Sequence, residues 1–367
     1  MVNQQDIARE LGLSQTAVSL ALRNHPSIPE TTVRSVRATA RRLGYRPDPL
    51  VSALMAQRRR RPAAALRAKI AFLTPLPVKG RWPSNYASGA FAGARTAVTE
   101  RGYLCEAFWL GDPAVDQRRL SQILWTQNVQ GLILAPMPVN SPSMALQWER
   151  FASVSLDYSL ANPKHHRVVD DHAFAMERVL EEVARRGYRR PGLVLRESQD
   201  VRTHHSRLGV FLVRRRLYPD WSDVPPLILP EDRWDADLFK AWLQREKPDV
   251  ILTEEDELPD EVRQLRLTVP RDVGIAFFYK EHPQRSLSGL LIDSRRIGSM
   301  AASILMRMIE TNERGTPRVP TTTLVESFTW HQGRTLRNPP VDAANTARRA
   351  WWWARAGCRA RSFRSCA

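Results

Sequence analysis

The stretch ELGLSQTAVS, residues 10–19, decides how the N-terminal region of this chain folds. Apolar residues recur at helical spacing before it, up to Leu11, and again after it, from Val18 onward. Gly12 stands between the two patterns, and a glycine inside a helix costs about 1 kcal/mol relative to alanine. The sequence therefore predicts two short helices joined by a turn at Gly12 rather than one long helix.

The spacing of Ala8, Gly12 and Val18 is typical of a helix-turn-helix. Ala8 is small where the second helix crosses, and Val18 packs the second helix onto the first. Gly12 can adopt the positive φ that a tight turn needs. Ser14 suits the N-cap of the second helix, because its hydroxyl can accept a hydrogen bond from an otherwise unpaired amide.

Polar and small residues lead the second helix, where they are free to enter a DNA major groove: Gln15, Thr16, Ala17 and Ser19. A third helix is predicted after Pro29. Its apolar face consists of Val33, Val36, Ala40 and Leu43. Its arginines, Arg34, Arg37, Arg41 and Arg42, lie largely off that face. A small three-helix packing module without a nucleic-acid role is the alternative interpretation.

The charge of the chain is concentrated at its two ends. The net charge is +17 and the isoelectric point about 10.7, which favours a polyanionic partner over a merely solvated basic surface. Residues 1–61 carry eleven arginines against four acidic residues, a net +7, and residues 341–367 carry a net +5. The 279 residues between them carry only +5. This asymmetry favours nucleic acid as the partner.

Beyond the arginine run in RRRRPAAALRAK, residues 58–69, short β-type segments alternate with helical patterns. The predicted strands are Ile70–Leu73, Gly131–Ala135, Ser153–Leu156, Gly192–Leu195, Val250–Thr253 and Gly274–Phe278. Helices are predicted between them, among them Ala87–Glu100 and Phe174–Arg186. This alternation indicates parallel sheets built from βαβ units.

Two segments repeat one pattern, which indicates two similar α/β halves. Residues 94–110 and 180–195 each contain a helix, an Arg-Gly-Tyr stop and an apolar strand. Gly102 and Gly187 fit the position after a helix C-terminus, where a left-handed residue is needed. The prediction is two Rossmann-like lobes with a ligand cleft between them.

The apolar runs, the cysteines and the two ends of the sequence limit which classes of protein are plausible. The longest apolar runs are shorter than the roughly 18 residues of a membrane span, and MVNQQDIARE does not resemble a signal peptide. Three cysteines without metal-ligand spacing suit a reducing cytoplasm, and we expect no cofactor and no metal. Residues 341–367, with three adjacent tryptophans, are interpreted as a disordered tail. A tail that stacks on nucleic-acid bases is the alternative.

The segment DIARELGLSQTAVSLALRN, with IPETTVRSVRATARRLGYRPDPLVSAL after it, resembles the headpiece of the lactose/galactose repressor (LacI/GalR) family of bacterial transcription regulators. The resemblance is close over residues 2–54 and looser to about residue 337, through GLILAPMP, VPRDVGIAFF and LIDSRRIGSMAASILMRMIE. It implies a headpiece over residues 1–47, a hinge helix and basic linker over 48–67, and a periplasmic-binding-protein-like type I body over 68–340. It also implies a homodimer that binds a palindromic operator, with a small molecule that alters DNA affinity.

The resemblance assigns residues to DNA contact. Gln15, Thr16 and Leu20 fall where the family reads bases, and Ser14, Ser19 and Asn24 fall where it contacts phosphates or supports the helix. Leu54 falls on the hinge leucine that the family wedges into the minor groove, which agrees with the kinking action of an apolar wedge. Arg58 and Arg59 follow within the run Arg58–Arg61, where further phosphate contacts would be easy.

The resemblance also implies an effector site, near Asn85, Tyr86, Arg207, Glu255 and Tyr279. Several of these positions depart from the sugar-binding pattern. Glu255 and Asp256 stand where Asn-Asp is common, and Tyr279 and Lys280 stand where Asp pairs are common. The glycine after Arg207 is displaced by one residue. Arg207 and Lys280 could hold anionic groups or balance Glu255, so carbohydrates and other ligands both remain open.

Two rival classes of protein are considered. An enzyme could use the histidine pairs, His165/His166 and His204/His205, or the carboxylates of TEEDE, residues 253–257. Neither pair has a helical i, i+4 partner, and phosphate loops and nucleophile elbows are missing from the sequence. A ligand-binding protein with a similar body is the second rival, and the basic headpiece counts against it.

Overall fold

The computed structural model of the 367-residue chain describes residues 3–22, 25, 27–45, 68–75, 86–110, 117–137, 144–230, 233–281 and 286–340. The predicted linker over residues 48–67 and the predicted tail over 341–367 both lie outside the described residues.

Three helices form the N-terminal module: α1 (Gln4–Leu11), α2 (Gln15–Leu22) and α3 (Glu30–Arg42). Their shared core consists of buried Ile7, Ala8, Val18, Ala21, Val36 and Ala40. Val33 and Leu43 pack against it while half-buried. The predicted break at Gly12 and the predicted apolar face of the third helix are therefore confirmed.

The body begins with β1 (Lys69–Thr74), α4 (Tyr86–Thr99), β2 (Leu104–Trp109), α5 (Gln117–Thr126), β3 (Val129–Leu134), β4 (Ala152–Leu156) and β5 (His166–Asp170). It continues with α6 (His172–Arg185), β6 (Pro191–Arg196), α7 (Glu197–Arg202), α8 (Ser206–Leu217), β7 (Leu227–Leu229), α9 (Ala236–Glu246) and β8 (Val250–Thr253). It ends with α10 (Leu258–Gln264), β9 (Gly274–Lys280), β10 (Ser288–Ile292), α11 (Ser294–Glu310), β11 (Thr322–Val325) and β12 (Phe328–His331). A 3₁₀ turn spans Trp148–Arg150.

The chain divides into two compact units, of which the first runs to Val169 and includes Ser294–Thr323. Its six-stranded sheet has the order β11-β5-β4-β3-β1-β2, and the first five strands of the chain pair in parallel. Five of the six residues of β1 are buried, which is expected for a parallel strand covered on both faces.

The second unit comprises Asp170–Asp293 and the chain from Leu324 onward. Its sheet has the order β12-β10-β9-β8-β6-β7, with β12 antiparallel to β10 and the other pairs parallel. Its buried core includes Tyr188, Phe211, Phe239 and Trp242. The carboxyl ends of β6, β8 and β9 therefore lie side by side at one edge.

The predicted strands and helices of the body are all present, and Gly102 and Gly187 have the expected positive φ of 84° and 78°. The prediction of strands was incomplete, since β5, β7, β10, β11 and β12 were not singled out. These segments are short, at three to five residues, and such runs carry little periodicity. Among the residues described, we find no helix long and apolar enough to cross a membrane.

Helices α4 and α11 of the first unit approach each other through glycines. A Cβ added at Gly93 would overlap the backbone carbonyl of Arg295, and one added at Gly298 would overlap the carbonyl of Ala90. Because the obstructing atoms belong to the backbone, a side-chain rotation cannot relieve the overlap. Only glycine permits this crossing distance.

The histidine pair at the start of β5 serves packing and hydrogen bonding. The ring of His165 is 1% exposed, lies 4.4 Å from the Trp148 ring between centroids, and places Nδ1 2.8 Å from Ser153 Oγ. His166 Nε2 lies 2.9 Å from Glu313 Oε1, and its Nδ1 lies 2.7 Å from Thr321 Oγ1. The two rings therefore contact different partners, as adjacent strand residues should.

Burial, together with the smaller effects of the nearby charges of His166 and Arg167, lowers the pKa of His165 to about 4. Its Nε2 is buried and has no hydrogen-bond partner within the described part of the chain. Protonation would therefore place a charge and an unsatisfied N–H in the core.

We expect Gly93→Ala and Gly298→Ala each to lower the free energy of unfolding by about 3 kcal/mol, because the helices must separate to admit a methyl group. Thermal unfolding followed by circular dichroism measures the effect. Gly209→Ala is the matched control, since Gly209 lies exposed in α8 with no atom near its Cβ position. The control should be neutral or stabilising by up to about 1 kcal/mol. Equal melting temperatures for all three variants would contradict the packing argument.

We expect stability to depend on the charge of His165. The folded-state pKa lies below the unfolded value of about 6.5, so the neutral form is favoured and stability is full above pH 6.5. About 3 kcal/mol should be lost as the pH falls from 6.5 to 4. His165→Asn keeps a polar atom near Ser153 but cannot titrate, so its stability should fall less steeply over this range. Urea unfolding at a series of pH values tests this, and parallel slopes for the two proteins would refute it.

Candidate functional site

The first helix of the headpiece is fixed at both ends. Asn3 Oδ1 accepts hydrogen bonds from the amides of Gln5 and Asp6 at 2.8 and 3.1 Å, and the Asn3 amide donates to Asp6 Oδ2 at 2.9 Å. This capping box satisfies amides that the first turn leaves unpaired. At the other end Gly12 has a φ of 64°, which lets the amide of Leu13 reach the carbonyl of Ala8 at 2.9 Å.

The second helix begins on the predicted cap. Ser14 Oγ accepts from the Ala17 amide at 3.1 Å, which confirms Ser14 as the N-cap. Val18 and Ala21 are buried against the rest of the module. The helix therefore turns one face inward and projects its N-terminal residues outward.

The outward residues are the ones that the sequence assigned to base contact. Gln15 and Thr16 are exposed, while Ser19 and Leu20 are half-buried. Gln15 Oε1 accepts a long hydrogen bond of 3.4 Å from Gln5 Nε2, which links the side chain to α1. Four other predicted DNA contacts, Asn24, Leu54, Arg58 and Arg59, lie outside the described residues.

The arginines of α3 are exposed: Arg34, Arg37, Arg41 and Arg42. Arg34 pairs with Glu30 at 3.5 Å, and Arg42 pairs with Glu10. Within the described part of the chain, Arg37 and Arg41 have no carboxylate within 4 Å. A small module with an exposed polar helix end and exposed arginines suits the groove and backbone of a nucleic acid.

A second group of functional candidates lies at the carboxyl edge of the second sheet. Arg207 is 4% exposed, and its Nη1 donates to Glu254 Oε2 at 2.7 Å. Its Nη2 lies 3.3 Å from His172 Nδ1. The guanidinium carbon lies 5.0 Å from the ring centre of Phe278 and 5.1 Å from that of Tyr279. The structure therefore brings together Arg207 and Tyr279, two of the predicted effector residues.

Glu255 lies at the same edge but has a different partner. It is 4% exposed and accepts from Arg196 at 2.8 Å to Nε and 2.6 Å to Nη2. The interpretation that Arg207 and Lys280 balance Glu255 is therefore wrong, since Lys280 pairs with Asp256 and Arg207 with Glu254. Adjacent residues in a loop point in different directions, so the sequence could not decide which carboxylate faces which cation.

Burial shifts the pKa values of three groups of this edge toward their neutral forms. Burial lowers the pKa of His172 well below its ordinary value, and the charge of Arg207 adds to the effect. Burial raises the pKa of Tyr279 well above its ordinary value, with a further rise from Asp170 and Glu281. The pKa of Glu255 is also raised by burial, although Arg196 opposes the shift.

The other two predicted effector residues belong to the first part of the chain. Tyr86 opens α4 in the first unit, and Asn85 lies outside the described residues. Glu254, Arg196 and His172 were not among the effector residues predicted from the sequence. Glu254 could have been predicted, because it stands next to Glu255 directly after a strand. The sequence around His172 contains no pattern that would have predicted its role.

The described ranges were also compared with the geometry of a metal site. They contain no group of three or more histidine, cysteine or acidic side chains placed to hold a metal ion. Of the second histidine pair, His205 binds Asp200 through Nδ1 at 2.5 Å.

The chain is similar to known transcription regulators. No family model matches it. The HTH-type transcriptional regulator PtxS of Pseudomonas plecoglossicida is 26% identical over 189 residues, which are 51% of this chain and 52% of the relative. The chain thus matches about half the length of that curated relative.

Two solved structures cover nearly the whole chain. The transcriptional regulator CelR in complex with cellobiose has a TM-score of 0.57 at 16% identity, covering 91% of this chain and 100% of the other. The lac repressor dimer bound to operator and the anti-inducer ONPF has a TM-score of 0.50 at 15% identity, covering 92% and 99%. These comparisons confirm the resemblance found in the sequence: the chain has the fold of the lactose/galactose repressor family, a helix-turn-helix module followed by two α/β units.

Proposed function

We propose that this protein is a sequence-specific DNA-binding transcription regulator, acting as a repressor. The observation that carries the proposal is the exposure of Gln15 and Thr16 at the leading end of α2, whose rear face is buried. A helix presented in this way can enter a major groove with its N-terminal side chains against base edges. Ser14, Ser19, Leu20 and Asn24 are proposed to support or extend these contacts.

Charge supports the same proposal. The net +7 of residues 1–61 would attract the phosphate backbone at any sequence, and Arg37 and Arg41 are exposed for such contacts. Arg58 and Arg59 of the proposed linker would add to them. The proposed division of the chain is a headpiece over residues 1–47, a hinge and linker over 48–67, a body over 68–340 and a tail over 341–367.

We propose that the body is a small-molecule receptor rather than an enzyme. The polar edge that contains Arg207, Glu255 and Tyr279 follows the rule that ligands of open α/β sheets bind beyond the carboxyl ends of strands. Asn85 and Tyr86 are proposed to contribute from the first unit. CelR was solved with cellobiose, and a carbohydrate is one candidate effector for this chain. To regulate, the effector must bind one DNA-binding state more tightly than the other.

We further propose that the protein acts as a homodimer on a palindrome. A single helix-turn-helix offers few base contacts, and two-fold docking places half-sites about 10 base pairs apart. The proposed hinge residue Leu54 would enter the minor groove at the operator centre together with its counterpart in the second copy. The lac repressor structure is itself a dimer on its operator.

An operator selected from random duplexes by the full-length protein tests the proposal. Gln15→Ala should relax the preference at one base position by about 1–3 kcal/mol, because a bidentate base contact is lost. Replacing Arg58 and Arg59 by alanine should instead weaken binding to every sequence and reduce its salt dependence. Fluorescence anisotropy with single-base operator variants at several salt concentrations measures both effects.

Gln57→Ala is the matched control within the linker, since it changes a neutral side chain beside the arginine run. It should leave the salt dependence as in the wild type. If selection enriches no sequence, or if Gln15→Ala and the double arginine variant both bind like the wild type, the proposed DNA reading is wrong.

Leu54→Gly should reduce operator bending and specific affinity while leaving the headpiece folded, because the apolar wedge is removed. Bending is measured by energy transfer between dyes at the operator ends, and the headpiece by helical circular dichroism. An operator that stays straight in the wild-type complex would contradict the wedge.

A further inference from the structure

The cations at the carboxyl edge of the second sheet are already engaged. Both terminal nitrogens of Arg207 have partners, Glu254 Oε2 and His172 Nδ1, and two aromatic rings lie within about 5 Å of the guanidinium carbon. Arg196 is bound to Glu255, and Lys280 is bound to Asp256. An anionic ligand would have to displace a carboxylate from one of these cations.

Glu254 leaves one oxygen unused. Its Oε2 binds Arg207, but its Oε1 is buried and has no hydrogen-bond partner among the described residues. The side chain as a whole is 14% exposed, so the loop does not fully enclose it. A buried acceptor without a donor is unfavourable, and a ligand that donates to it removes that cost.

A second buried carboxylate on the same edge also has one oxygen without a hydrogen-bond partner. Asp200 is 5% exposed and lies on α7, in the segment between β6 and Arg207. Its Oδ2 binds His205 Nδ1, while its Oδ1 has no partner in the structure as described. This edge therefore offers two carboxylate oxygens, Glu254 Oε1 and Asp200 Oδ1, that can accept a hydrogen bond from a ligand.

The charge balance of the edge is opposite to that of the protein. The segments that follow β6, β8 and β9, residues 196–207, 254–257 and 280–281, contain seven acidic residues and four basic ones, a net −3. The whole chain carries +17. Burial is the main cause of the raised pKa of Tyr279, and the negative charges of Asp170, Glu281 and Glu254 raise it further against the opposing charge of Arg207.

We propose that this site binds a ligand through a primary ammonium group that donates a hydrogen bond to Glu254 Oε1. A neutral hydroxyl could also satisfy this oxygen, but it would leave the negative charge of the edge unbalanced. A carboxylate or phosphate would add to that charge. An ammonium group supplies both the donor and the positive charge.

This proposal adds a ligand class to the proposed function. Only the expected effect of the ligand on DNA binding rests on that function.

Three matched sets of an amine, an alcohol and a carboxylate test the proposed ligand class: glucosamine, glucose and glucuronate; ethanolamine, ethylene glycol and glycolate; putrescine, 1,4-butanediol and succinate. Thermal shift of the full-length protein is measured with each, and titration calorimetry gives the affinity of every compound that raises the melting temperature. At least one amine should bind at least tenfold more tightly than both of its counterparts.

Glu254→Gln removes the charge while keeping an amide oxygen, and it should weaken binding of that amine at least tenfold. Glu257→Gln is the matched control, because it removes the same charge from the same loop at a side chain that is 47% exposed. The control should retain most of the affinity. The proposal is overturned if no amine raises the melting temperature, if a counterpart binds as tightly as its amine, or if the two variants lose equal affinity.

Operator titration separates this proposal from the proposed function. An amine that binds through Glu254 but leaves operator affinity unchanged supports the ligand site and refutes its role as an effector site. A sugar or carboxylate that changes operator affinity, in a protein that no amine stabilises, supports the regulator and refutes the ammonium site. The wild-type preference for amine over alcohol still tests the proposal if Glu254→Gln fails to fold.

Discussion

Parallel strands that are covered on both faces constrain everything else in the body. Residues in β1, β6, β8 and β9 are almost entirely buried, so these strands cannot carry exposed polar chemistry along their length. Charged residues are displaced to the strand ends, where the chain turns. The carboxyl edge of the second sheet consequently collects Arg196, Glu254 and Lys280 from three neighbouring strands and their loops.

Crowding at that edge makes pairing specific. Arg207 and Glu255 are each 4% exposed, and an unpaired charge at such depth would be strongly unfavourable. Each therefore needs its own counterion, which the structure supplies as Glu254 and Arg196. After this pairing, the edge still has carboxylate oxygens that can accept hydrogen bonds and a net negative charge. These two properties determine which ligand we expect it to bind.

The headpiece obeys a different constraint, because three short helices have little apolar surface to share. Ala8 and Ala21 are small where helices meet, and Gly12 allows the turn without strain. Ser14 supplies the capping bond that an eight-residue helix cannot obtain from its own backbone. The polar end of that helix is then held outward by the burial of Val18 behind it.

Local features of this protein were determined by the sequence itself. The break at Gly12, the cap at Ser14, the apolar face of α3 and the buried strands all depend on residues near one another in the chain, and their patterns are readable there. Short strands such as β7 and β12 could not be predicted from the sequence, because they form by pairing with a sheet that already exists. The partners of Glu254, Glu255 and Arg207 were decided only by the tertiary structure. They lie 47 to 59 residues apart in sequence, and the direction of each side chain depends on how the loops pack at the sheet edge.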